Sequence, residues 1–129
     1  MYANKAANIF KCLPWKLGLD IGAGKGEAAR FLRDCPLPRK VLTLDINREY
    51  NPDIVGDFIY CAAELPLFDA IWCSHTLEHQ PNVNSFLRML KMKIRKGGFY
   101  AITVPPAKTN LVGGHLTLWT PGLLVYNMI

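Results

Sequence analysis

Residues 15–35 read WKLGLDIGAGKGEAARFLRDC, and the change of texture inside this stretch decides the fold. Apolar residues crowd 15–21 as in a strand buried on both faces, three glycines at 22, 24 and 26 follow, and 27–35 has the composition of a helix. Pro36 and Pro38 stop that helix, because proline lacks the amide and the space a helix interior requires. A strand, a glycine turn and a helix in this order form the first half of a parallel crossover unit.

The same alternation continues outward. Residues 40–45 (KVLTLD) predict a second strand, and a polar stretch with Asn47, Asn51 and Pro52 follows. A short third strand is expected at 53–55, ending at Gly56-Asp57, and a fourth at 68–74 (FDAIWCS). In residues 82–96 the positions Val83, Phe86, Leu87, Leu90 and Ile94 line one side of a helix that Gly97-Gly98 would end. Residues 99–104 (FYAITV) predict a fifth strand, closed by Pro105-Pro106. Residues 1–14 read as an N-terminal helical extension and 106–129 as a loop and terminal helix, with Thr120 as cap and Pro121 in the first turn. The fold class expected is α/β, a doubly wound and mostly parallel sheet of about five strands covered on both faces. Only eight residues separate Asp45 from Ile54 and eleven separate Asp57 from Asp69, so those two crossovers must be turns or single helical turns.

Composition sets the limits. The 129 residues, 50% hydrophobic and 19% charged, suffice for one domain spanning 1–129 and exclude disorder or a disulfide scaffold. No apolar run approaches the roughly 20 residues a membrane span needs, and the first residues lack the pattern of a secretory signal, so a cytoplasmic location is expected. Cys12, Cys35, Cys61 and Cys73 are too widely spaced for a Cys-x-x-Cys pair and read as structural thiols. All ten acidic residues lie in 1–78, whereas 79–129 hold six basic residues and no acid. Arg88, Lys91, Lys93, Arg95 and Lys96 read either as a solvated helix end or as a basic surface for an anionic substrate such as nucleic acid.

In an open parallel sheet, ligands bind beyond the carboxyl ends of the strands, where the first strand-to-helix turn lies. A dinucleotide fingerprint would place Gly or Ala at position 27, but Glu27 stands there and Asp20 precedes the turn, so two carboxylates would repel a pyrophosphate. S-adenosylmethionine carries a sulfonium and an ammonium and no phosphate, and the same acids would attract it. Asp45, ending the second strand about twenty residues beyond the glycines, is placed to accept ribose hydroxyls or to cap a turn. Asp57 could reach an adenine amino group or form an Asx turn.

The ordered segments LGLDIGAGKG (17–26), Leu44-Asp45, Gly56-Asp57, Leu65-Pro66, FDAIWCSHTLEH (68–79) and 90–105 with Gly97-Gly98 resemble the successive motifs of class I S-adenosylmethionine-dependent methyltransferases, closest to the small type-11-like group. The resemblance covers roughly residues 15–105 and implies the strand order 3-2-1-4-5. It also implies Asp20, Gly22, Ala23, Gly24 and Gly26 around the methionine part, Asp45 and Ile46 at the ribose, and Asp57 and Phe58 beside adenine. Ser74 and His75 would then lie near the transferred methyl group. The crossover helices are shorter than the family's, and its closing β-hairpin is absent from this sequence, which leaves the fifth strand as an exposed edge open to homodimer pairing.

The function expected is methyl transfer from S-adenosylmethionine to a nucleophilic acceptor, most simply a small molecule, with nucleic acid suggested by the basic second half. The alternative is a non-catalytic S-adenosylmethionine-binding or partner-dependent interaction module; an NAD-dependent oxidoreductase would have to tolerate Asp20 and Glu27. The sulfonium is an activated leaving group, so alignment and desolvation carry most of the reaction and a base is needed only for a protonated acceptor. Candidates for that base are His75, Glu78, His79 and His115. The spacings show no Ser-His-Asp set and no metal-binding motif, and no metal is expected. Trp72 and Trp119 read as core or lid packing.

Overall fold

The computed structural model describes residues 2–110 and 112–129. Five strands, β1 (Leu17–Ile21), β2 (Lys40–Asp45), β3 (Ile54–Val55), β4 (Phe68–Ser74) and β5 (Ile94–Thr103), form one sheet in the order β3-β2-β1-β4-β5. Every pairing is parallel, with Leu19 beside Leu42 on one side and Ile71 on the other. The central strands β1 and β4 are buried on both faces, which explains their nearly unbroken apolar sequence.

Two cores flank the sheet. Helices α1 (Tyr2–Cys12) and α2 (Glu27–Arg33) pack Ala7, Phe10, Ala29 and Leu32 against Trp15, Val41, Ala70 and Trp72. On the opposite face, α3 (Phe58–Cys61) and α4 (Val83–Met92) bring Phe58, Phe86, Leu87 and Leu90 onto Leu19, Ile21, Leu44 and Ile71. Arg39 secures α1 to the sheet: its guanidinium stacks 3.6 Å over Trp15 and donates to the carbonyls of Lys11 and Leu13 at 2.9 Å each. The two tight crossovers hold single turns, a 3-10 turn at Arg48–Tyr50 and the four-residue α3 followed by a 3-10 turn at Ala62–Glu64. Asn82 caps α4 and Thr120 caps α5 (Pro121–Met128), each accepting a backbone N–H three residues on.

The structure corrects the expected helix at 82–96. Helix α4 ends at Met92, with the Lys93 amide donating to the carbonyls of Met89 and Leu90, and Ile94 already pairs with Phe68 in β5. Four residues, 95–98, then bulge out opposite Asp69 before Phe99 pairs with Ala70. A Cβ at Gly98 would stand 2.6 Å from the Asp69 carbonyl oxygen, and Gly97 holds φ +80°, so the two glycines serve a close approach and a left-handed turn inside a strand rather than a helix end. Either use of two glycines looks the same in sequence. The basic residues are therefore divided. Lys93 donates to the Leu65 carbonyl at 2.8 Å, and Arg95 pairs with Asp69 at 3.0 Å, outside any helix-end cluster. The Asp69 carboxyl is also fixed by the amides of Leu17 and Lys16, and these bonds with Arg95 hold its pKa below the usual carboxylate range.

Smaller corrections concern the cysteines and the C-terminal helix. Cys73 alone is buried, and burial pushes its thiol pKa up, whereas Cys12 is exposed and Cys35 and Cys61 are half-buried. In α5, Leu124 packs beside the core and Tyr100 Oη donates to the Met128 carbonyl at 3.2 Å. Leu123, Tyr126 and Ile129 are exposed, Tyr126 by 79% and Ile129 by 93%, although their apolar character suggests burial. Among the described residues, no helix is long and apolar enough to cross a membrane.

Candidate functional site

The carboxyl ends of β1, β2 and β4 open onto adjoining clefts. Where β1 ends, the chain turns back over β2: the amides of Gly22 and Ala23 both donate to the Leu44 carbonyl, at 2.8 and 3.1 Å. Gly22 holds φ +72°, and a Cβ there would overlap Thr76 Oγ1, so both conformation and space require glycine. Asp45 organises the turn through both carboxylate oxygens. Oδ2 accepts the Gly24 amide and Oδ1 the Asn47 amide, each at 2.8 Å.

The first cleft, 390 Å³ in volume, is lined by Asp20, the residues of the glycine turn, Tyr50, Trp72 and Ser74. Asp20 and Trp72 are partners across β1 and β4, and each is 2% exposed. Asp20 Oδ2 and Trp72 Nε1 are both buried without a hydrogen-bond partner among the described residues. Burial raises the Asp20 pKa to about 7; the Asp45 charge adds to the rise, while Arg33 and the Ala29 amide oppose it. These paired positions of β1 and β4 thus leave one acceptor and one donor without a protein partner among the described residues. Sequence reasoning places Asp20 here but assigns Trp72 to the core and passes over Tyr50. The signal for Trp72 is its register: it sits opposite Asp20 only when β1 and β4 are aligned.

A second cleft of 180 Å³ lies beyond Gly22 and is bordered by Asp45, Ile46, Asp57, Phe58, His79 and Phe86. Ile46 is exposed and offers an apolar surface at the mouth. Asp57 Oδ1 accepts the Ile59 amide at 3.1 Å and so caps α3, as its Asx reading anticipates, while its residue still lines the cleft. Phe58 is buried, with its ring edge-on to Phe86 at 5.5 Å, and forms the floor of this cleft.

Beyond β4 the candidate histidines come together. His75 takes φ +53°, with its amide on the Thr103 carbonyl at 2.9 Å, and Ser74 Oγ shares a short hydrogen bond with Thr103 Oγ1. Glu78 is 1% exposed, His75 Nδ1 lies 3.6 Å and His79 Nε2 3.9 Å from its Oε1, and the His115 ring stands edge-on to His79 at 4.7 Å. His75 also opens onto a third, largely apolar cleft of 790 Å³ between the end of β5 and α5, where Ile102, Val104, Trp119 and Leu124 form the walls.

A family model described as a methyltransferase domain matches residues 8–126. The fold is similar to that of an S-adenosylmethionine-dependent methyltransferase from Archaeoglobus fulgidus, with a TM-score of 0.74 at 21% identity over 98% of this chain and 64% of that one. It is similar also to a methyltransferase from Haloferax volcanii solved in complex with the Trm112 methyltransferase activator, with a TM-score of 0.80, 19% identity, and coverage of 98% and 65%. A third similar structure, described as a methyltransferase from Bacillus halodurans, gives 0.78 at 17% identity over 99% of this chain and 67% of the other. The chain thus spans about two thirds of the length of these structures. No curated protein sequence matches it.

Proposed function

The chain belongs to the methyltransferase-domain family, the class I S-adenosylmethionine-dependent methyltransferases, and from that premise we propose that it binds S-adenosylmethionine across the first two clefts and methylates a largely apolar small molecule held in the third. The observation that carries this reading is the pair of orphaned buried atoms, Asp20 Oδ2 and Trp72 Nε1. The Asp20 carboxylate would hold the ammonium of the cofactor's amino-acid end, and the Trp72 N–H its carboxylate. Asp45, immobilised by Gly24 and Asn47, would offer its remaining lone pairs to the ribose hydroxyls. Ile46 and Asp57 would border the adenine over the Phe58 floor. When bound, the cofactor supplies a methyl group on a positively charged sulfur that is ready to leave.

The rest of the work falls to this chain: aligning the acceptor and excluding water. Apolar walls at Ile102, Val104, Trp119 and Leu124 favour an acceptor with an apolar body. His75, which borders that cleft, would take a proton if the acceptor carries one. Calorimetry with S-adenosylmethionine and its demethylated product tests the cofactor assignment. Asp20→Asn should weaken binding by about tenfold or more while leaving the chain folded, since a charge-assisted contact contributes about 1.5–3 kcal/mol. Equal binding by the variant, or none by the parent, would overturn the reading.

A second reading, a cofactor-binding module that acts with a partner chain, is favoured by the exposed apolar side chains of α5 and the free outer side of β5. It predicts cofactor binding without labelled-methyl transfer to any cell fraction until a partner is added.

A further inference from the structure

We propose that Glu78, His79 and His115 form a site for one divalent transition-metal ion. One ligand atom from each of Glu78, His79 and His115 can be chosen so that all lie within 4.8 Å of one another. The centre of the cluster is a buried carboxylate whose nearest polar neighbours are histidine nitrogens. Glu78 is 1% exposed, yet neither Oε1 nor Oε2 has a hydrogen-bond partner among the described residues. A buried carboxylate without a partner is among the costliest groups a fold can hold, and a coordinated cation removes that cost.

The orientation of His79 makes the argument specific. Its Nδ1 lies 2.6 Å from the Gly114 carbonyl oxygen, an acceptor, so Nδ1 carries the hydrogen. In the neutral ring Nε2 then bears a lone pair, and it faces Glu78 Oε1 at 3.9 Å. A metal cation fits between a neutral ring nitrogen and a carboxylate oxygen at that separation. A ring held by a backbone carbonyl through one nitrogen, with the other nitrogen free, is the usual posture of a metal-bound histidine. His75 Nδ1 lies 3.6 Å from the same Oε1.

Tetrahedral ligands about 2.0–2.2 Å from a metal stand roughly 3.3–3.6 Å apart, so the donors need to close by only about 1 Å. The segment carrying His115 is already suspended from this point: the amides of Leu116 and Thr117 donate to the Glu78 carbonyl at 2.7 and 3.2 Å. Imidazole nitrogens with one carboxylate suit zinc, cobalt or manganese better than magnesium or calcium, which prefer oxygen throughout. An ion here would lie where the second cleft, through His79, meets the third, through His75. It would clamp the 112–117 segment against β4 whatever the cofactor proves to be.

The full chain, stripped with chelator and titrated with cobalt(II), provides the test without cofactor or substrate. One equivalent should bind with visible d–d absorption and no thiolate charge-transfer band, raise the Tm, and be displaced by zinc; magnesium should do none of these. His115→Ala should weaken cobalt binding at least tenfold with the metal-free Tm little changed, and Glu78→Gln should abolish binding. Failure of cobalt or zinc to bind below about 100 µM, at which mass action would no longer raise the Tm appreciably, overturns the proposal. Binding that survives both substitutions, or a thiolate band reporting the cysteines instead, also overturns it.

Discussion

The glycine turn between β1 and α2 lines the first cleft and residues 104–107, 119–121 and 124 line the third, and the two regions are built on different terms. In the turn, backbone amides are individually accounted for: Gly22 and Ala23 on the Leu44 carbonyl, Gly24 on Asp45. Beside the turn, the buried Asp20 Oδ2 and Trp72 Nε1 have no hydrogen-bond partner among the described residues. The later segment hangs on a few bonds to Glu78 and on Trp119 and Leu124, and it exposes Leu116, Leu118, Leu123 and Tyr126. On the proposed reading, the cofactor pocket would rest on backbone geometry, and the acceptor pocket on side chains that can change without disturbing the sheet.

The sharpest way to break this contrast is to give each region a methyl group. Gly22→Ala must accept φ +72° and displace Thr76 from its place beside the turn, and should cost about 3 kcal/mol or more, the sum of left-handed strain and overpacking. Gly122→Ala, in α5 with nothing within 4 Å of the added carbon, should be neutral or stabilising by up to about 1 kcal/mol. Urea denaturation of the two variants measures both, and equal losses would erase the distinction.

The next effect belongs to Asp20. Its pKa rises from 3.8 unfolded to about 7 folded, so the folded chain binds the proton more tightly. The stability of the cofactor-free protein should therefore be fully present below about pH 4, fall as pH rises toward 7, and level off above it. Between pH 5 and pH 8 the loss from this group should be about 2–3 kcal/mol, and Asp20→Asn should flatten that slope. Asp69, with its lowered pKa, acts only below this window, where its protonation costs stability. Cofactor binding that favours the carboxylate should release a proton near neutrality, visible by calorimetry in buffers of different ionisation enthalpy.

The smallest effect is expected on the other side. Tyr126→Ser, at a residue 79% exposed, should change stability by no more than about 0.5 kcal/mol. A larger loss of Tm would show that α5 is buried in solution, for instance against a second copy.

The same contrast explains what could be read in the sequence. β1, β2 and β4 were legible because strands buried on both faces carry continuous apolar runs bounded by glycine and polar residues, and their ends fix Asp20, Asp45 and Ser74. The β3 pair and the single-turn crossovers followed from spacing alone. Residues 93–98 misled because Ile94 continues a helical spacing while its actual partner, Phe68, is 26 positions away. Trp72 was hidden for a related reason: a buried tryptophan looks like core until its neighbour across the sheet is known to be an unpaired acid. Glu78, His79 and His115 were each visible as proton carriers, but the return of the chain that brings His115 to them depends on two amides finding one carbonyl.

That carbonyl has a kinetic consequence. The amides of Leu116 and Thr117 share the Glu78 oxygen, so movement of that one peptide group releases both bonds together. If that movement governs opening of the segment, their hydrogens should exchange with solvent at a common rate.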